Sequence, residues 1–126
     1  DIWADSLYSS LFSESFLKTI ESFIPKMKEA LCLRYKNRKI ALVRLVESEE
    51  TYLLNVESYY PEFKKINTPI LMLGGEHDNL IPTFTQKKIN KLFPNIKYIE
   101  YSECGHLVYM EKPKEFFTQT LEFITK

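Results

Sequence analysis

Apolar residues recur at three-to-four-residue spacing through the first half of the chain, and gather into short runs only in the second half. From Ser6 to Ile24, a stripe of Leu7, Leu11, Phe16, Ile20, Phe23 and Ile24, widened by Phe12 and Leu17, predicts one amphipathic helix. Pro25 either ends that helix or starts the next from its first turn. A second short helix is expected from Lys26 to Tyr35, with Met27, Ala30 and Leu31 facing inward, followed by a basic, polar break at Lys36-Asn37-Arg38-Lys39. A third helical run extends from Ile40 to Tyr60, with Leu42, Leu45, Val46, Leu53 and Val56 on its stripe. Glu47-Ser48-Glu49-Glu50 interrupts that stripe with charge, which leaves open a kink or a helix–helix junction, and Pro61 closes the region.

The pattern then changes. Ile70-Leu71-Met72-Leu73 is too brief for a good helix and is bounded by turn residues, which suits a buried strand. Gly74-Gly75-Glu76-His77-Asp78-Asn79 follows, with two glycines expected to let the backbone turn sharply and deliver Asp78 just past the strand end. Thr83 to Phe93 reads as a helix, with Phe84, Ile89, Leu92 and Phe93 apolar and Gln86, Lys87, Lys88 and Lys91 solvated. Thr83, or a residue just before it, is expected to cap the start. Ile96 to Tyr101 is a β-branched and aromatic run and predicts a second strand. Ser102-Glu103-Cys104-Gly105-His106 forms the loop after it, and Pro113 opens a last helix carrying Phe116, Phe117, Thr120, Leu121 and Ile124.

Strand, helix, strand, helix with short links is a βαβα unit, whose two strands should run parallel with a right-handed crossover. Parallel strands bring the loop with Asp78 and the loop with His106 to the same edge of the sheet. The fold class expected is therefore α/β, a helical segment over residues 1–65 followed by a βαβα portion over residues 66–126. Two strands alone make a poor core, because parallel sheets are normally larger and covered on both faces. Apolar surface should stay exposed unless the chain pairs with a missing N-terminal half, self-associates or repacks.

Composition narrows the partners. The chain has 126 residues, with 17 basic and 17 acidic side chains, so no net field draws it to nucleic acid or an anionic membrane. No apolar run approaches the roughly 18 residues of a membrane span, and the acidic start is unlike a signal peptide. Cys32 and Cys104 lie in no metal-type or CxxC spacing, and a disulfide between them is possible but unneeded, so a reducing, cytoplasmic setting is expected. The start without methionine is expected of a portion of a longer protein. Gly74, Gly75 and Gly105 are the only glycines, which leaves no place for a Rossmann fingerprint, a P-loop or a Gly-x-Ser-x-Gly elbow.

Asp78 and His106 are the candidate chemistry. A carboxylate that accepts Nδ1–H from an imidazole fixes its tautomer and steadies the imidazolium formed when Nε2 takes a proton. Each residue has a plainer reading: Asp78 as a turn residue, His106 as a loop histidine bonded to backbone. A glycine before His106 is expected to allow the loop conformation that turns the ring toward the acid. His77, Asp78, Glu103, Cys104 and His106 fit no standard zinc spacing. Cys104 is better read as a buried small hydrophobe than as a nucleophile, His77 as an exposed loop residue, and Phe12, Phe16 and Phe23 as a helix-packing stripe rather than a substrate pocket.

The segment from Ile66 to Pro82 resembles the penultimate strand and acid loop of the α/β-hydrolase fold: a proline before the strand, an acid three residues after a glycine, and a proline four later. Ser102 to His106, with Glu111-Lys112-Pro113 and Phe116, is similar to that family's histidine loop and last helix. The resemblance implies that Asp78 is the acid of a catalytic triad and His106 its general base, with no cofactor or metal. It also implies that residues 1–65 form the cap, or lid, that shapes substrate choice. The family's chain order is nucleophile, acid, histidine, and Ser6, Ser9, Ser10, Ser13 and Ser15 have no glycine nearby to form an elbow. The expectation is thus the C-terminal part of an esterase-, lipase- or peptidase-like hydrolase acting on a small ester- or amide-type substrate, with the nucleophile absent; the alternative is a non-catalytic interaction module.

Overall fold

The computed structural model describes residues 2–125, the side chains of Trp3 and Lys39 apart; Asp1 of the acidic start and Lys126 lie outside the described residues. Its order is α1 (Ile2–Leu11), α2 (Glu14–Thr19), a 3₁₀ turn (Glu21–Phe23), α3 (Ile24–Tyr35), α4 (Lys39–Asn55), a 3₁₀ turn (Val56–Tyr59), α5 (Tyr60–Phe63), β1 (Ile70–Gly75), α6 (Thr83–Asn90), β2 (Ile96–Tyr101), α7 (Val108–Glu111) and α8 (Pro113–Ile124). A helical segment is followed by a βαβα unit, as the periodicity predicts.

The first predicted helix is broken. Ser13 sits at φ −66°, ψ 153°, and its Oγ accepts the Phe16 amide at 3.2 Å, which caps α2. The Ser13 amide donates to the Glu111 carboxylate at 2.9 Å rather than back to a helical carbonyl. A stripe of apolar residues can span such a cap because the side-chain period survives one irregular residue. Phe12, beside the break, is 2% exposed and stacks between Tyr8 and Phe16, while Phe23 is 62% exposed and leaves the expected stripe.

Pro25 lies in the first turn of α3, the second of its two expected places, whereas Pro61, expected to close the helical region, lies instead in the first turn of α5; a missing amide costs nothing at either position. The acidic run Glu47–Glu50 makes neither kink nor junction: α4 passes through it unbroken and the chain departs from α geometry only at Val56. Solvated glutamates are good helix formers, so charge on the outer face interrupts a stripe without interrupting a helix.

β1 and β2 pair in parallel, Ile70 opposite Ile96 through Gly75 opposite Tyr101. Gly74 and Gly75 belong to β1 and no glycine has positive φ, so the sharp turn expected at these glycines is not there. Close approach explains them instead. A Cβ on Gly75 would lie 2.1 Å from the Gly105 carbonyl oxygen and 2.2 Å from that of Cys104, and one on Gly74 would lie 1.8 Å from Gln86 Oε1. Two short strands bury little, and Leu53, Leu54, Phe84, Phe117, Leu121 and Ile124 remain exposed, as a small parallel sheet implies.

Candidate active site

Both sequence-predicted residues arrive at the carboxyl end of the sheet. Past β1, the Glu76 amide donates to the Tyr101 carbonyl at 2.9 Å and the His77 amide to the Cys104 carbonyl at 2.8 Å, so the acid loop leaves β1 hydrogen-bonded to the loop that leaves β2. That lacing is why Gly75 must be bare. Asp78 is 7% exposed, and its Oδ1 accepts the Leu80 amide at 2.9 Å and the Ile81 amide at 2.8 Å. With one oxygen held by the loop's own backbone, the other is aimed outward. Oδ2 lies 2.9 Å from His106 Nδ1. The plainer readings of the two residues account for half of this: Asp78 does build its own turn, yet it also meets the imidazole.

His106 keeps 30% of its side chain exposed while the Asp78 side chain keeps 5%, so a sunken carboxylate holds a ring that can still be reached. Nδ1–H donated to the carboxylate leaves Nε2 with its lone pair, the form needed to accept a proton.

Gly105 does not supply a left-handed turn. The one non-glycine residue with positive φ in the chain's described part is Glu103, at 48°. Gly105 is glycine because a Cβ there would fall 2.5 Å from Ser13 N and 2.7 Å from both Phe12 C and Glu111 Oε1. Cys104 is fully buried, and desolvation, reinforced by the Glu111 charge, pushes its thiol up to about 11, which keeps it protonated and poorly nucleophilic. His77 is exposed, as expected, with Nε2 4.0 Å from Glu76 Oε2.

Gln86 was expected on the solvated face of its helix and is instead 1% exposed. Its Nε2 donates to the Gly75 carbonyl at 3.0 Å and the Ile81 carbonyl at 2.7 Å, and its Oε1 accepts Tyr98 Oη at 2.7 Å. One amide thus ties both ends of the acid loop to β2. A signal was present: position 86 lies on the stripe of Ile89 and Phe93, three and seven residues on. In the sequence Glu111 stood out only as part of the Glu111-Lys112-Pro113 resemblance, with no sign that its carboxylate would bind Ser13 and Gly105.

A hollow of ≈ 570 Å³ borders the acid loop, with Ser13, Asp78, Asn79, Thr83 and Phe84 among its walls. The imidazole is not in that wall, so the hollow flanks the pair rather than receiving a group for His106 to act on. Among the described residues, no cluster of three or more His, Cys, Asp or Glu side chains could hold a metal, and no helix is long and apolar enough to cross a membrane.

The chain is similar to several known proteins. It is 32% identical over 69 residues to the 2-hydroxy-6-oxo-6-(2'-aminophenyl)hexa-2,4-dienoic acid hydrolase of Metapseudomonas resinovorans, covering 54% of this chain and 24% of that protein. It is 28% identical over 72 residues to the pimeloyl-[acyl-carrier protein] methyl ester esterase of Legionella pneumophila, covering 57% of this chain and 30% of the esterase. In structure it matches MGS-M2, an alpha/beta hydrolase enzyme from a Medee basin deep-sea metagenome library, with a TM-score of 0.81 and 27% identity over 94% of this chain and 42% of that one. The chain therefore spans less than half the length of these relatives. The family model of the alpha/beta hydrolase fold matches residues 5–113, an interval that takes in the Asp78–His106 pair and the helices before it, and the chain belongs to that family.

Proposed function

We propose that this chain supplies the acid–base half of a hydrolase that acts on a small ester- or amide-type substrate, with His106 as general base and Asp78 as its orienting acid. The observation that carries the reading is the 2.9 Å contact between His106 Nδ1 and Asp78 Oδ2, made by a carboxylate whose other oxygen is committed to two backbone amides. In this mechanism Nε2 takes the proton of the attacking nucleophile as the new bond to the acyl carbon forms. The imidazolium then gives that proton to the leaving oxygen or nitrogen as its bond to the acyl carbon breaks. In the second half a water attacking the acyl-enzyme loses its proton to the same nitrogen, and the imidazolium returns it to the nucleophile as the acyl–enzyme bond breaks and the acid leaves. If the nucleophile is an aspartate, His106 acts only in that second half.

The nucleophile would come from a segment outside these 126 residues, because the sequence offers no glycine-flanked serine. Residues 1–65 would then serve as the cap over the substrate. Two measurements test the reading. The chain alone should hydrolyse an activated ester no faster than free imidazole, and saturable turnover would mean a nucleophile resides within it. In the polypeptide that carries the nucleophile, His106→Ala should lower kcat by roughly 10³-fold or more, and Asp78→Asn by a comparable factor, with KM little changed. Full activity in either variant would leave the pair with a structural role in a non-catalytic module.

A further inference from the structure

The histidine loop is gripped from outside the sheet. Glu111 Oε1 accepts the Gly105 amide at 3.1 Å and the Ser13 amide at 2.9 Å, while Oε2 accepts Ser13 Oγ at 2.5 Å. One carboxylate therefore joins the residue before His106 to the junction between α1 and α2. On the other flank of the imidazole, the Leu107 amide donates to the Leu11 carbonyl at 3.2 Å. Both neighbours of His106 are thus bonded to groups that touch or form residues 11–13, while the ring itself is held by Asp78. Ser13 is 1% exposed, and the missing Cβ of Gly105 is what admits it. Hydrogen bonds to a charged acceptor are the stronger kind, and a carboxylate stripped of one leaves buried amides unpaired.

We propose that Glu111 is a positioning residue: its carboxylate fixes the histidine loop against the α1–α2 junction, so that His106 faces Asp78 only while that junction is docked. The proposal rests on the reading of His106 as the base for its functional meaning, but not for its geometry. Docking of the front helices then sets the base. A cap that shifts would loosen the imidazole and the catalytic geometry together, since Gly105 and Ser13 share one acceptor oxygen.

The test is solution NMR on the full chain, following the His106 Nδ1–H proton and the ring nitrogen shifts. Glu111→Ala should speed solvent exchange of that proton by about tenfold or more, in line with the loss of charge-assisted bonds. The Gly105 and Leu107 amides should lose protection alongside it, while the amides of Met72 and Leu73 in β1 exchange as before. Glu111→Gln keeps an acceptor for both amides and should hold the Nδ1–H signature within about twofold. Ser13→Ala leaves the Ser13 amide on Glu111 and removes the Oγ bond to Glu111 together with the Oγ cap on the Phe16 amide, so it should move the same signals by a smaller factor and carries the test if Glu111→Ala does not fold. Unchanged ring signals in Glu111→Ala or, failing its folding, in Ser13→Ala would overturn the proposal, as would equal loss of protection throughout β1. These readouts need no turnover, so activity surviving His106→Ala would remove the base assignment and leave the positioning result standing.

Discussion

On α4, Ile40, Val46, Leu53 and Leu54 are between 60% and 79% exposed, whereas at the ends of β1 and β2 the residues Gly74, Gly75, Asp78, Gln86, Cys104 and Gly105 are all buried. The front helix is the more apolar sequence and the strand ends are small or polar, so burial here does not follow hydrophobicity. It follows backbone proximity. Where two loops and a helix junction meet at van der Waals distance, only residues without a Cβ, or with every polar atom bonded, can be accommodated. That is how Asp78 and His106 are held in contact with little apolar core beneath them. α4 shows the reverse, a helix formed by local propensity with its stripe left unsealed.

The sharpest way to break this contrast is Gly75→Ala. The added methyl would stand 2.1 and 2.2 Å from two carbonyl oxygens, and backbone atoms cannot swing aside as a side chain could. We expect a loss of about 3 kcal/mol in urea unfolding and a histidine loop displaced from Asp78. A cost under about 1 kcal/mol would mean the two loops are not in close contact.

A second, smaller effect reads the same region through pH. Burial raises the Cys104 thiol from its ordinary 9.0 to about 11, so below about pH 9 folded and unfolded chains both hold the proton and stability is flat. Between there and about pH 11 the unfolded chain releases it while the folded chain keeps it, and stability falls with rising pH by about 2 kcal/mol. Tyr98 and Tyr101, raised from their ordinary 10.0 chiefly by desolvation, push the same way from about pH 10 upward and so overlap the upper part of this range. Urea titrations between about pH 9 and about pH 10, below the tyrosine contribution, should show the start of this fall in the native sequence and lack it in Cys104→Ala; no fall in the native sequence would place the thiol in contact with water.

The two halves also differed in how far they could be read in advance. Both strands, their parallel pairing and the two loops that carry Asp78 and His106 follow from short apolar runs flanked by turn residues, a signal in which local pattern and tertiary role agree. Pairing of the side chains follows from the topology alone, since parallel strands share an edge. What stayed hidden was long-range. Ser13 breaks a helix because Glu111, 98 residues away, takes its amide, and nothing near Ser13 encodes that. Gln86 is buried because three polar groups converge on it, which composition cannot show. The glycines were read as turn-makers because local rules know φ but not crowding.

The smallest expected effect is the one that decides whether the exposed half is truly uncovered. Leu54 is 79% exposed near the end of α4, and glutamine has nearly the same helix propensity as leucine, so Leu54→Gln changes burial and little else. If water is its only neighbour on that face, stability should move by less than about 0.5 kcal/mol, and equally at low and high protein concentration. A loss above about 1 kcal/mol, growing with concentration, would instead mean that a second copy covers α4 in solution, because an apolar side chain contributes that much only when it is removed from water. The contrast between the halves would then belong to one chain viewed apart from its neighbour, and α4 would be an interface rather than an unsealed helix.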